Sequence, residues 1–286
     1  MPSSLEDILQ LESLDTNLFR SRHHRENFRN ILFGGQVVGQ ALAAVQNTVD
    51  DVLPHSLHAY FLRPGRSNAP VIYDVERVRD GRSFCSRRVV ARQHGHSIFH
   101  MTASFHAKET GHEHQLSAPE GIPSPEEILA RNNAPTPDPH ISSENTQGES
   151  HDMPFHLLPV NDNVFSSKDV HAPHTSFWIK TTETLPNNPA LHLNALTFAS
   201  DLGLIATALL PHETTLFDSS ISAASIDHAM WFHHHDFRAD EWMLYQTNSP
   251  WAGQARGFAQ GRIFTREGKL IASTTQEGLI RPQPTN

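Results

Sequence analysis

The sequence predicts an α+β protein made of two copies of one unit, a helix followed by several antiparallel strands. Three observations carry this. First, helix-then-strand order occurs twice along the chain. Second, short phrases recur in the same order at a nearly constant spacing. Ala41-Leu42 in "GQALAAV" matches Ala208-Leu209 in "ATALLPH" (208 minus 41 is 167), and Ser56 in "SLHAYF" matches Ser225 in "SIDHAMWF" (225 minus 56 is 169). The turn glycines Gly95 and Gly268 match as well (268 minus 95 is 173). Third, the stretch between the copies has a different composition, rich in Pro, Ser, Asn and acid. The slow drift of the offset is what short loop insertions produce.

Taken in order, residues 4–14 suggest a short amphipathic helix, with Leu5, Ile8 and Leu11 on one side and Leu14 next in the series. "ILFGGQVVGQALAAVQNTV" reads as a helix entered through Gly34-Gly35. "HSLHAYFLRPG" and "VIYDVERVRDG" are strand-like runs ending in turn residues. Asp80-Gly81 suggests a tight turn, and His94-Gly95 a hairpin between "SFCSRRVVARQHG" and "HSIFHMTASFHA". One short helix is expected at Ser124-Pro125, where Ser caps and Pro fits the first turn. Beyond it, "TSFWIKTTE" suggests a strand and "NPALHLNALTFASDLGLIATALL" a helix. "SSISAASIDHAMWFHHH", "EWMLYQTNSP", "GQARGFAQGRIFT" and "KLIASTTQEGLI" read as strands. The expected division is therefore an N-terminal repeat over 1–107, a linker or long loop over 108–163, and a C-terminal repeat over 164–286.

Composition narrows the function. Of 286 residues, 37% are hydrophobic, with 16 Phe, enough for a sizeable core. The formal charge of -9 argues against nucleic acid, whose phosphates need clustered positive charge. One cysteine, Cys85, excludes an intrachain disulfide and a thiolate metal cage. The N-terminus lacks a signal-peptide core, no segment has the apolar length to span a bilayer, and "PQPTN" is no peroxisomal address. A cytoplasmic protein with no membrane or nucleic-acid partner is expected.

One residue stands out. In "NALTFASDLGLIATALLPH", Phe198, Leu202, Ile205 and Leu209 form the apolar face of a helix. At roughly 100° per residue, Asp201 lies about 60° from the middle of that face. A carboxylate there is at least half buried and needs partners. Ser200 or Asp201 could instead cap a helix starting there, but the periodic pattern begins near Pro189 and puts Asp201 well inside. No Gly-x-Ser-x-Gly elbow is present, and Cys85 sits in an ordinary strand pattern. The 21 histidines include His233-His234-His235. On a strand, His233 and His235 would share a face, but no HExxH helix or spaced carboxylate accompanies them, so no metal is expected. Arg63, Arg66, Arg79, Arg82, Arg87 and Arg88 could meet phosphates or form a solvated sheet face.

Several phrases together, "LFGGQVVGQAL", "HSLHAYFLRPG", "DGRSF", "ASDL", "SIDHAMWFH", "ARG" and "ASTTQEGLIR", resemble the type II acyl-CoA thioesterases. The resemblance covers about 5–108 and 165–282. It implies a double hotdog fold, in which a helix is wrapped by an antiparallel sheet, twice. It also implies a catalytic acid, hydroxyl and amide, carried here by Asp201, Ser225 and Gln276. The expected reaction is hydrolysis of fatty acyl-CoA by a water that Asp201 activates, without cofactor, in a homo-oligomer (dimer or tetramer). "HHHDF" at 233–237 departs from the family's usual His-Arg-Pro-Phe. Gly34-Gly35 could bring backbone N–H groups to the thioester oxygen, or could serve close helix–sheet packing. Asp227-His228 could act as a base or anchor the strand. Two other functions remain open. One is a hotdog dehydratase or hydratase using His58, His228 or His233 as base. The other is a non-catalytic acyl-CoA binder. The repeat offsets put Gly34, Ser56 and Ala103 in place of the three site residues in the first half, so one catalytic set per chain is expected.

Overall fold

In the computed structural model, residues 4–23, 30–132 and 153–283 are described. Most of the expected linker's Pro-, Asn- and acid-rich run, 133–152, and both chain extremes lie outside them. The first unit opens with α1 (Leu5–Leu9), closed by a capping box in which Ser4 and Asp7 each accept the other's backbone N–H. The helix is shorter than the one expected over 4–14. From Leu11 the chain forms β1 (Leu11–Asp15), which pairs with β2 (Leu18–Ser21). Strand pairing supplies the backbone bonds of 11–15, and Leu14 has no core to meet and stays exposed. Then come α2 (Gly34–Gln46), β3 (Leu53–Phe61), β4 (Ile72–Asp80), β5 (Phe84–Gln93) and β6 (His96–His106). His94 and Gly95 both have positive φ, 48° and 79°, as a two-residue hairpin turn requires.

After α3 (Pro125–Asn132), the second unit repeats the plan. It contains β7 (Phe155–Pro159), β8 (His174–Thr181), α4 (Pro189–Ala199), α5 (Leu204–Leu209), β9 (Ile221–Ser225), β10 (Asp227–Phe232), β11 (Met243–Gly253), β12 (Arg256–Thr265) and β13 (Leu270–Pro282). The strand read over 219–235 is thus two strands broken at Ile226, and His233-His234-His235 lie past its end.

One sheet runs through both units in the order β1-β2-β4-β5-β6-β3-β10-β13-β12-β11-β8-β7, with β9 also paired to β13. The second half of that path mirrors the first. The units join where β3 and β10 pair antiparallel, with His58 opposite Ala229. This is a double hotdog.

The register corrects one detail of the repeat. The irregularity of β3 on β6 falls between Pro54 and Ser56, and the break between β9 and β10 falls at Ile226. Matching His55 with Ile226 gives an offset of 171 (226 minus 55), which also relates the paired His58 and Ala229. Ser225 therefore corresponds to Pro54 and not to Ser56. The β5–β6 and β12–β13 irregularities skip Ile98 and Ile271, an offset of 173 (271 minus 98), which leaves Gln276 matched to Ala103.

β7 falls within 108–163 and pairs with β8, so part of that segment belongs to the sheet. Trp178 Nε1 donates to the Pro123 carbonyl at 2.9 Å, and Ile128, Leu158, Trp178, Leu244, Phe264 and Leu270 form a small second core. The segment thereby covers one face of the second unit's sheet. Among the described residues, no helix is long and apolar enough to cross a membrane.

The main core spans both units, and α2 packs against α4 inside it. Glycine permits the close approach. A Cβ on Gly35 would lie 2.3 Å from the Phe198 carbonyl oxygen on α4, and one on Gly39 would lie 3.1 Å from that of Asn194. Gly35 thus serves helix–helix packing, where the packing alternative read from the sequence was helix against sheet. Arg87 fits neither role foreseen for the arginines. It is 1% exposed, bonded to Thr48 and the Arg79 and Ser86 carbonyls, and paired with Asp80. It ties the end of α2 to the sheet.

Gly35→Ala should destabilise the protein by roughly 1–3 kcal/mol, because the atoms it meets include backbone and overpacking wins over the helix propensity gained. Gly39→Ala, with clearances of at least 3.0 Å, should cost less. Urea midpoints of the two variants check the order. Equal midpoints would contradict it.

Candidate active site

The helix expected across 188–210 is broken where the unusual carboxylate sits. α4 starts correctly, with the Asn188 side chain accepting the Ala190 N–H and Pro189 in the first turn. It ends at Ala199, and α5 begins only after Gly203, whose φ is +81°. A Cβ on Gly203 would meet the Phe177 ring at 2.8 Å, so both backbone and space require glycine. Asp201 therefore lies in a turn between helices and caps neither, with Asn188 and Gly203 at the cap positions.

Asp201 is 8% exposed. Its Oδ1 accepts from Ser225 Oγ at 3.1 Å and from Gln276 Nε2 at 2.9 Å. Gln276 Nε2 also donates to Ser225 Oγ at 2.7 Å, closing a triangle of three side chains. Each comes from a different element. Asp201 is on the interhelix turn, Ser225 ends β9, and Gln276 is on β13. The bond from Glu277 N–H to the Asp227 carboxylate, 2.7 Å, and that from Ile226 N–H to the Glu277 carbonyl hold the β9–β10 break against β13. Asp227 thus anchors the strands, and burial pushes its carboxyl above the usual range.

The other carboxylate oxygen, Asp201 Oδ2, faces the first unit. A Cβ on Gly34 would lie 2.7 Å from it and 3.1 Å from Phe61 Cε1. The start of α2 therefore abuts the carboxylate, and Phe33 caps that helix without a side-chain bond. Phe33 and Phe155 each pack a tilted ring against Phe198 beside this seam.

Behind the triangle lies a second layer. His228 is 1% exposed. Its Nδ1 is 3.0 Å from Gln276 Oε1 and its Nε2 is 2.9 Å from Ser200 Oγ. Burial lowers its pKa, partly opposed by the Asp201 charge. Tyr245 donates to the Ser200 carbonyl at 2.7 Å and bonds Thr274 at 2.8 Å. Strand alternation puts His228 inward with Met230 and Phe232, which was a readable sign that this histidine meets buried polar groups. Ser200 gave no comparable sign.

The other histidines lie apart. His233 bonds Ser273, and His235 bonds the Pro54 carbonyl. His58 stacks edge-on against Trp231. Among the described residues, no group of three or more His, Cys, Asp or Glu could hold a metal. Cys85 is half-buried in β5.

The chain matches two family models, acyl-CoA thioesterase over residues 149–279 and acyl-CoA thioesterase N-terminal domain over 23–106. It is 40% identical to acyl-CoA thioesterase 2 of Haemophilus influenzae over 98% of this chain and 97% of that protein. It is 39% identical to mouse acyl-coenzyme A thioesterase 8 over 97% of this chain and 88% of that one. Among solved structures, acyl-CoA thioesterase II TesB2 from Mycobacterium marinum aligns with a TM-score of 0.80 at 37% identity, covering 98% and 99% of the two chains. With nearly its whole length matched in this way and a double hotdog sheet built around the Asp201 seam, the chain belongs to the acyl-CoA thioesterase family.

Proposed function

We propose that this thioesterase hydrolyses fatty acyl-CoA by direct attack of water, with Asp201 as general base and Ser225 and Gln276 as its hydrogen-bonding partners. The observation that supports this best is the division of labour on the carboxylate. Both partners address Oδ1, which leaves Oδ2 facing the bare Gly34. A water there would lose a proton to Oδ2 and attack the thioester carbon. Collapse of the tetrahedral intermediate breaks the C–S bond, and the proton held by Asp201 passes to the departing thiolate, leaving CoA thiol and free acid. A thiol with a pKa of about 8.5 leaves readily, so strong acid assistance is not needed.

The start of α2 brings first-turn backbone N–H groups and the positive end of the helix to the same place. Gly34 and Gly35 fit a role in holding the substrate, their N–H groups facing the developing oxyanion. A dehydratase reading is less suited to the geometry, since both ring nitrogens of His228 are occupied. Within the proposal the enzyme is a cytoplasmic homo-oligomer, dimer or tetramer, that needs no cofactor.

Purified protein should release free thiol from fatty acyl-CoA with no added metal. A loss of activity on chelation that zinc restores would contradict this. Asp201→Asn should lower kcat by about 10²-fold or more without unfolding the protein, since the base is lost and the shape kept. Ser225→Thr should be tolerated far better than Ser225→Ala, and an unchanged kcat in Ser225→Ala would remove that hydroxyl from the site. Gly34, Pro54 and Ala103 occupy the matching positions of the first unit, and none can replace the acid, hydroxyl or amide. Titration with a non-hydrolysable acyl-CoA analogue should therefore give one catalytic site per chain. Two equal sites would refute the asymmetry.

A further inference from the structure

Four side chains form a closed loop that begins and ends on consecutive residues. Asp201 Oδ1 accepts from Gln276 Nε2, Gln276 Oε1 faces His228 Nδ1 at 3.0 Å, and His228 Nε2 faces Ser200 Oγ at 2.9 Å. Ser200 directly precedes Asp201 in the turn between α4 and α5. We propose that His228 is a positioning residue for hydrolysis, which acts through Gln276 by donating its Nδ1–H to the amide oxygen. This rests on the proposed role of Gln276.

The donor and acceptor inventory fixes the direction of the bond between His228 and Gln276. Gln276 can support the carboxylate only with its amide N–H groups toward Asp201 and Ser225, so Oε1 must point the other way. An acceptor faces His228 Nδ1, and that nitrogen must carry a proton. If the proton sat on Nε2 instead, two lone pairs would oppose each other at 3.0 Å in a site closed to water, which is costly. Ser200 Oγ donates to the Thr197 carbonyl at 2.8 Å and lies 2.9 Å from Nε2, so it holds the far edge of the ring without setting its tautomer. Burial disfavours the imidazolium, so the ring acts as a fixed donor and not as a base.

The consequence for the reaction is geometric. His228 holds the amide plane of Gln276 from the far side, so the carboxylate is gripped at one angle while Oδ2 handles the water. Tyr245, bonded to the Ser200 carbonyl, stiffens the turn that carries both ends of the loop.

Two measurements test this. In protein labelled with 15N at histidine, the His228 ring should show a protonated Nδ1 at neutral pH. A bare Nδ1 would overturn the inference. In kinetics, His228→Phe keeps bulk but removes the donor, and should lower kcat about tenfold or more with KM little changed. His228→Asn, whose amide can donate near the Nδ1 position, should recover much of that loss. In a Gln276→Ala background, His228→Phe should lower kcat no further. An equal additional loss there would show that His228 acts independently of Gln276 and would overturn the proposal. A wild-type protein that fails to hydrolyse acyl-CoA would defeat the proposed function and leave the tautomer measurement as an independent test.

Discussion

The buried carboxylate of Asp201 is the constraint around which the rest of the site is arranged. A carboxylate removed from water must be met by donors or it will take up a proton. Here the donors are Ser225 and Gln276, and neither is near Asp201 in sequence. The fold has to bring the interhelix turn, the end of β9 and the middle of β13 to one point. The left-handed Gly203 that interrupts the helix, the break at Ile226 and the Asp227 anchor on Glu277 all serve that convergence.

The location follows from the repeat. Joining two sheets through β3 and β10 puts helices from the two units side by side, and α2 can approach α4 only because Gly35 and Gly39 lack side chains. Gly34, one residue earlier, then abuts the Asp201 carboxylate. The seam thus receives a charged group from one unit and a bare helix start from the other. The first unit carries Gly34, Pro54 and Ala103 at the matching positions, and offers shape and backbone polarity there instead.

Much of this could be read from the sequence because its signals are local. Helix-then-strand order, the turn residues His94-Gly95 and the Asn188-Pro189 helix start depend only on neighbours in the chain. The oddity of Asp201 is visible as a polar residue on an apolar face, although the periodicity predicts an unbroken helix there. Gly203 is compatible with helix continuation until the Phe177 ring closes the space above it. Ser225, Gln276 and the glycines needed the family resemblance, since a lone Ser or Gln in a strand carries no mark of its partners. Ser56 was matched to Ser225 because similar letters hid a shift that only strand register exposes. Arg87 looked like a surface residue, and its burial depends on Thr48 and Asp80 meeting it from two directions.

The central claim is that Asp201 acts on water and is never itself acylated. A single-turnover reaction with fatty acyl-CoA, quenched over time and followed by the mass of the intact protein alongside free CoA and free acid, tests it most directly. The account predicts that CoA and acid appear together and that the protein mass never changes. A burst of CoA ahead of the acid, with protein carrying one acyl group on Asp201, would contradict it.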